Sequence, residues 1–295
     1  MKLRLAIDQF IEWKSVSSRG STVTGYAQDL KIFCLLLKNR DIETVTLDDI
    51  LGVMTEMLDA GWTHTSMMRK CMALRKLFEF MELRGINVIH KDLIPIPRPE
   101  HKVPRIITEQ EFRKLLAVIP KGSKDARHIR NKAIIRMLWD TGMRIGEVLA
   151  LDVQDIDTNH MRTLIRTEKN QGSRPFRQIF WTTETNRCLR LWLKRRHTFA
   201  AIDPALFISC TSWKVGQRLH HKGLAEMLRK YSKKAGLPYR NAHSFRHHLG
   251  HDIIRKGGSN ADVANILGHA SLLSTFTYTQ MSDPEVEERY RKFRG

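Results

Sequence analysis

The chain has 295 residues and carries 50 Lys and Arg against 31 Asp and Glu, a formal net charge of +19. Two domains with their own apolar cores are expected at this length without covalent staples, and a field of this sign selects a polyanionic partner. Four cysteines with no Cys-x-x-Cys spacing argue against a disulfide framework and predict free thiols in a reducing, cytoplasmic compartment. Charges interrupt the apolar residues from M-K-L-R-L-A-I-D onward, and no apolar run approaches the roughly twenty residues of a bilayer span. Neither a secretory signal nor a membrane segment is expected.

Residues 1–90 read as a helical domain, with apolar positions recurring at three and four residues. Tyr26, Leu30 and Phe33 share one predicted face; so do Met68, Cys71, Leu74, Phe78 and Met81, with Gly85 as the natural residue to end that helix. Arg69, Lys70, Arg75 and Lys76 fall largely outside this stripe and are the candidate phosphate contacts of the domain. The charge excess lies further on, because residues 1–90 hold 12 basic and 11 acidic side chains whereas residues 91–295 hold 38 and 20.

Pro95, Pro97, Pro99 and Pro104 mark residues 91–107 as a linker, since proline fixes φ, removes a donor and biases its predecessor toward extended backbone. Thr108 and Glu111 then have capping-box spacing and open a second domain, residues 108–295. Helices are expected near 126–139, 145–151, 183–196, 222–235, 244–256, 260–267 and 271–281. Between the second and third of these, residues 163–167 and 177–181 are rich in β-branched and aromatic residues and flank a turn-forming stretch with Gly172 and Pro175. They predict a small antiparallel hairpin in a mainly α domain. A short amphipathic tail helix is expected over 284–295, from S-D-P-E and the spacing of Val286, Tyr290 and Phe293.

Five pieces of the second domain carry groups suited to phosphodiester chemistry. Displacement at phosphorus concentrates charge on the non-bridging oxygens, so rigid cations must stand there beforehand. Arginine suits this, because its planar fork binds two oxygens at once and stays protonated. Arg144 follows Thr141-Gly142, where glycine permits a close backbone approach, and Glu147 lies one turn on, able to orient a neighbour. His243 and Arg246, three apart, project from one side of a helix. His269 follows Gly268, which ends a helix, and Tyr278 comes nine residues later. A phenol needs neighbouring cations and a proton acceptor to act as a nucleophile. Lys169 occupies the predicted hairpin, from which an ammonium could reach into the DNA minor groove and protonate a departing 5′ oxygen.

In this order and spacing, T-G-M-R-I-G-E, Lys169, H-S-F-R, L-G-H and Tyr278 resemble the tyrosine recombinase (phage integrase) family, over nearly the whole chain. The resemblance implies a helical core-binding (SAM-like) domain at 1–90, a mixed α/β catalytic domain and site-specific recombination through a 3′-phosphotyrosyl intermediate, without metal, ATP or other cofactor. It makes Tyr278 the nucleophile, gives Arg144, Arg246 and His269 the transition state, His243 an assisting role that includes taking the tyrosine proton, Lys169 the general acid and Glu147 a supporting role. One departure is Glu168, where the family usually has glycine before the lysine. Because the core-binding domain starts at once, the compact Xer type is expected, without an arm-binding domain. The implied partners are double-stranded DNA core sites, a homotetramer or a heterotetramer with a related recombinase, and an accessory activator of unspecified kind; the implied location is nucleoid-associated.

Three rival readings apply to the same residues. His243, His247 and His251 recur every four residues, a spacing at which imidazoles can bind zinc, but H-H-L-G-H lacks the glutamate of H-E-x-x-H and Arg246 would repel the ion. A type IB topoisomerase shares the nucleophile, but the compact two-domain layout and the short tail after Tyr278 favour recombination. A catalytically silent DNA-binding protein would not be expected to keep all of these groups.

Overall fold

A computed structural model describes residues 1–99, 105–166, 176–199, 203–211, 214–268 and 291. The chain divides into two compact units, Met1–Lys102 and Val103–Gly295.

The first unit is a helical bundle of α1 (Leu3–Ser17), α2 (Gly20–Leu36), α3 (Leu47–Asp59) and α4 (His64–Leu83). Thr46 and Asp49 form a capping box at α3, and Thr63 caps α4 through the Ser66 amide. Phe10, Leu30 and Phe33 are fully buried, and Tyr26 meets Phe10 edge-on with ring centroids 5.3 Å apart. The stripe on α4 is wider than its spacing suggests: Met67, Ala73 and Leu77 are buried beside Cys71, Leu74, Phe78 and Met81, while Met68 is only half-buried. The cause is that α4 packs on both α1 and α2, so two of its faces need apolar cover.

The proline-bearing segment is anchored at its start. Residues Lys91–Leu93 form a 3₁₀ turn, Ile94 is fully buried in the core of the first unit, and the Arg75 guanidinium donates to the Ile94 carbonyl from Nε at 2.8 Å.

The second unit contains α5 (Glu109–Ala117), α6 (Ala126–Thr141), α7 (Ile145–Ala150), β1 (Arg162–Arg166), β2 (Phe176–Phe180), α8 (Thr183–Arg196), α9 (His221–Lys234), α10 (Ala242–Arg255) and α11 (Asn260–Leu267). The Thr108–Glu111 capping box is present at α5. Strands β1 and β2 pair antiparallel with Arg162 opposite Phe180 and Ile165 opposite Arg177, one residue N-terminal of the expected boundaries at each strand start. The predicted helices at 271–281 and 284–295 lie outside the described residues, Arg291 apart.

Helix α6 is the axis of this unit, packing against α8, α10, α5 and β2. That explains why it is buried nearly all round rather than along a stripe. One core segment had no expected element: Ala205, Leu206, Phe207 and Ile208 are essentially unexposed and form a bend between isolated β-bridges at Ala205 and Ile208. Their backbone is satisfied from several directions, with Leu206 donating to the Leu151 carbonyl at 2.8 Å and the indole of the fully buried Trp192 donating to the Leu206 carbonyl at 2.8 Å.

Helix α6 stops at Gly142, whose φ of 55° is left-handed. A Cβ there would lie 2.9 Å from Leu267 Cδ2 and 3.1 Å from Leu249 Cδ2, so the glycine lets the end of α6 meet α10 and α11. Gly142→Ala is therefore expected to destabilise the protein by about 2–4 kcal/mol, summing backbone strain and overpacking. At Gly236, with φ of 66° and no atom within 4 Å of an added Cβ, the same change meets strain alone and is expected to cost about 1–2 kcal/mol. Urea unfolding of the two variants checks the difference; equal losses would show that the contact at Gly142 is unimportant.

Candidate active site

The short stretch Gly142-Met143-Arg144 leads from the end of α6 to the start of α7, and Arg144 is the N-cap of α7 with φ of −67° and ψ of 149°. Glu147, at the third helical position, closes the turn: the Arg144 backbone amide donates to Glu147 Oε2 at 2.7 Å, and Arg144 Nη1 donates to Oε1 at 3.0 Å. A helix-surface pair would leave the carboxylate in water, but here the Glu147 side chain is 0% exposed. Arg144 keeps 20% side-chain exposure, and its Nη2 reaches the Gly268 carbonyl at 3.4 Å.

Arg246 arrives from α10, where Asn241 caps the helix by accepting from the Ser244 amide at 2.9 Å. Its guanidinium is buried and donates from Nη1 to the Gly142 carbonyl at 3.0 Å and from Nη2 to the Leu267 carbonyl at 2.5 Å. The two arginines, 102 positions apart in sequence, thus reach consecutive carbonyls at the end of α11, immediately before His269. These carbonyls, with that of Gly142, belong to helix C-termini, which lack intrahelical partners and carry partial negative charge. Helix ends therefore seat both cations.

His243 lies at the exposed start of α10, and its ring meets that of His247 edge-on with centroids 4.6 Å apart. Burial, reinforced by the charges of His243 and Arg246, pushes His247 down to about 4, so it is neutral at neutral pH. His248 has a packing role, stacked on Trp139 at 4.0 Å, which stacks in turn on Phe112 at 4.0 Å. Among the described residues no three His, Cys, Asp or Glu side chains gather as a metal-holding group. Lys169, His269 and Tyr278 lie outside the described residues.

Arg177, on β2, had no assigned role in the sequence reading beyond starting a strand. It donates from Nη1 to Glu147 Oε1 at 2.9 Å and from Nη2 to Oε2 at 2.8 Å, with a side chain only 8% exposed. The available signal was strand parity: Arg177 shares its side of β2 with the buried Ile179, so an arginine stands in an inward position.

In the first unit the structure separates the four basic candidates. Lys70 does not lie on the surface; it is 7% exposed, bonded to the buried Asp29 at 3.2 Å, with its ammonium 4.9 Å from the Trp62 ring centroid. Its position facing α2 overrides the expectation from spacing. Arg75 is likewise turned inward, onto the backbone of residues 92–94. Arg69 and Lys76 remain on the surface, paired with Asp29 at 2.6 Å and Glu79 at 2.6 Å.

A profile of the Phage integrase family matches residues 105–285. The chain belongs to this family. The N-terminal SAM-like domain of phage integrases matches residues 7–85. Tyrosine recombinase XerC of Roseiflexus sp. strain RS-1 is 30% identical over 89% of this chain and 84% of its own, and XerC of Oceanobacillus iheyensis 27% identical over 99% and 96%. In fold, the recombinase resembles XerH bound to palindromic difH substrate, with a TM-score of 0.78 at 20% identity over 99% of this chain and 96% of that one. It is a tyrosine recombinase of the Xer type. No helix among the described residues is long and apolar enough to cross a membrane.

Burial alone would push Glu147 up, but the hydrogen bonds and charge of Arg177, then those of Arg144, outweigh it and hold the carboxyl below its usual range. Because the folded value is depressed, the stabilisation is present above the unfolded value and is lost as pH falls through the folded one. Glu147→Gln is expected to be less stable than wild type by about 3 kcal/mol at neutral pH, since two buried or half-buried arginines lose their counter-charge. The gap should narrow below roughly pH 4. Urea unfolding across pH checks this; a gap that persists unchanged into acid would show that the ionised carboxylate is not what stabilises the site.

Proposed function

We propose that this recombinase cuts and rejoins DNA at specific core sites by transesterification at phosphorus. The Tyr278 oxygen attacks the scissile phosphate, forming a phosphotyrosyl bond to the 3′ side of the strand, while the P–O bond to the 5′ oxygen breaks. The tyrosine proton passes to His243, and Lys169 delivers a proton to the departing 5′ oxygen. Attack by a 5′ hydroxyl on the phosphotyrosine then restores the phosphodiester, so neither water nor ATP is consumed. Arg144, Arg246 and His269 hold the non-bridging oxygens as charge grows on them, and Glu147 supports Arg144.

The observation that carries this reading is the convergence of Arg144 and Arg246 on the adjacent carbonyls of Leu267 and Gly268, the residues that precede His269. Cations seated by backbone and by a buried carboxylate are preorganised, which is what a transition state with charge on peripheral oxygens demands. The XerC relatives and XerH support a DNA substrate recognised at specific sites. We further propose that residues 1–90 form the core-binding domain and residues 108–295 the catalytic domain. The first adds specificity as the protein closes on the duplex, with Arg69 and Lys76 as its phosphate contacts. The working assembly is a tetramer on two DNA sites, linked by the tail from residue 284 onward.

Tyr278→Phe removes only the attacking oxygen, so it should keep DNA affinity within a few-fold while abolishing denaturant-resistant capture of a nicked core-site duplex. An adduct formed by this variant would place the nucleophile elsewhere. Lys169→Ala should slow cleavage by about 100-fold or more on ordinary DNA, yet cleave nearly normally when sulfur replaces the 5′ bridging oxygen, because a thiolate leaves without a proton. Equal defects on both substrates would make Lys169 a phosphate contact instead of the acid.

A further inference from the structure

We infer that Arg177 is a positioning residue for Arg144, acting through Glu147: it occupies the broad face of the carboxylate so that Glu147 takes only one guanidinium nitrogen of Arg144, and the donors not used on Glu147 and the Gly268 carbonyl stay available for the scissile phosphate. This rests on the proposed role of Arg144.

The geometry divides the carboxylate unequally. Arg177 makes the two parallel bonds of a fork, at 2.9 and 2.8 Å, and Arg144 makes one guanidinium bond at 3.0 Å, with its amide supplying the fourth donor. A carboxylate offers about four acceptor sites, so Glu147 is saturated. With Arg177 absent, a buried carboxylate would have only Arg144 nearby to satisfy it among the bonds described, and a bidentate pair is the favoured geometry for that union. Arg144 would then turn toward Glu147 and away from the phosphate.

A second contact reinforces the first. A Cβ on Gly268 would lie 2.5 Å from Arg177 Nη1 and 2.9 Å from its Cδ, so Arg177 packs on the glycine whose carbonyl receives Arg144 Nη2. Arg177 therefore touches both supports of Arg144. It also stands on β2, opposite Ile165 of β1, and the connection between these strands carries Lys169. The strand holding the arginine site in register is the same one that leaves the lysine-bearing connection.

The test uses the full-length protein and a pool of nicked duplexes with randomised, two-fold symmetric cores. Duplexes captured covalently by the wild type are recovered and used throughout. Arg177→Met should slow covalent capture by about 100-fold, the scale of a displaced catalytic group, with affinity for the recovered duplex changed less than a few-fold. Arg177→Lys, which keeps charge but cannot form the fork, should recover only a small part of the rate. The deciding variant is Arg177→Met combined with Glu147→Gln. Removing the carboxylate's charge releases Arg144, so the double variant should be faster than Arg177→Met alone by roughly tenfold, a coupling of the size expected between touching groups.

A double variant slower than either single one would make Arg177 a direct phosphate ligand and overturn the inference. So would an Arg177→Met protein that loses thermal stability but captures DNA at the wild-type rate at a temperature where it is folded. Failure of the wild type to capture any duplex would instead overturn the proposed function, as would capture that survives Tyr278→Phe.

Discussion

The Glu147 carboxylate, wholly shielded from water, receives donors from two arginines and a backbone amide, and much of the second unit is arranged so that this is possible. A buried carboxylate loses several kcal/mol of hydration, which only close, well-aligned donors offset. Those donors come from α7 itself and from β2, so the charge fastens a six-residue helix to a two-stranded hairpin. Neither element is long enough to be stable alone. Their geometry is held by this cluster, by packing of β2 on α6 and by packing of α7 on α9.

Helix α6 supplies the frame on which the second arginine depends. Its left-handed end at Gly142 brings the last carbonyl of α6 against Arg246, and the absence of a Cβ allows Leu249 and Leu267 to close over the turn. The end of α11 does the same from the other side through Leu267 and Gly268. Two cations are thus gathered at the negative ends of two helices, which lowers the cost of bringing like charges together. Direct guanidinium-to-carbonyl bonds also fix each fork in place, the preorganisation that the proposed role at the scissile phosphate requires.

Elements tied to local chemistry were legible in the sequence. The Thr108 capping box, the helix over Asn260–Leu267 and its end at Gly268 follow from signals a few residues long. The hairpin was visible through β-branched and aromatic residues on either side of a turn stretch, with boundaries off by one residue because pairing, not composition, sets strand ends. The buried run Ala205–Ile208 carried no such signal. Four consecutive apolar residues show neither a period of 2 nor one of 3.6, so only their neighbours reveal them as core.

By itself the sequence determined the family and the reaction class, and it supplied the groups proposed to perform the reaction, because phosphoryl chemistry restricts which side chains can serve and their order along the chain is distinctive. It could not determine which charges are spent inside the protein. Lys70 and Arg75 look like surface cations by spacing but are taken up by Asp29 and by the backbone of residues 92–94. Arg177 looks like an ordinary strand residue and instead completes the coordination of Glu147 from thirty positions away. Such assignments depend on which helix face meets which neighbour, and hydrogen bonds to a buried carboxylate are decided by distances of a few tenths of an ångström between segments remote in the chain. Only the tertiary structure brings those segments together.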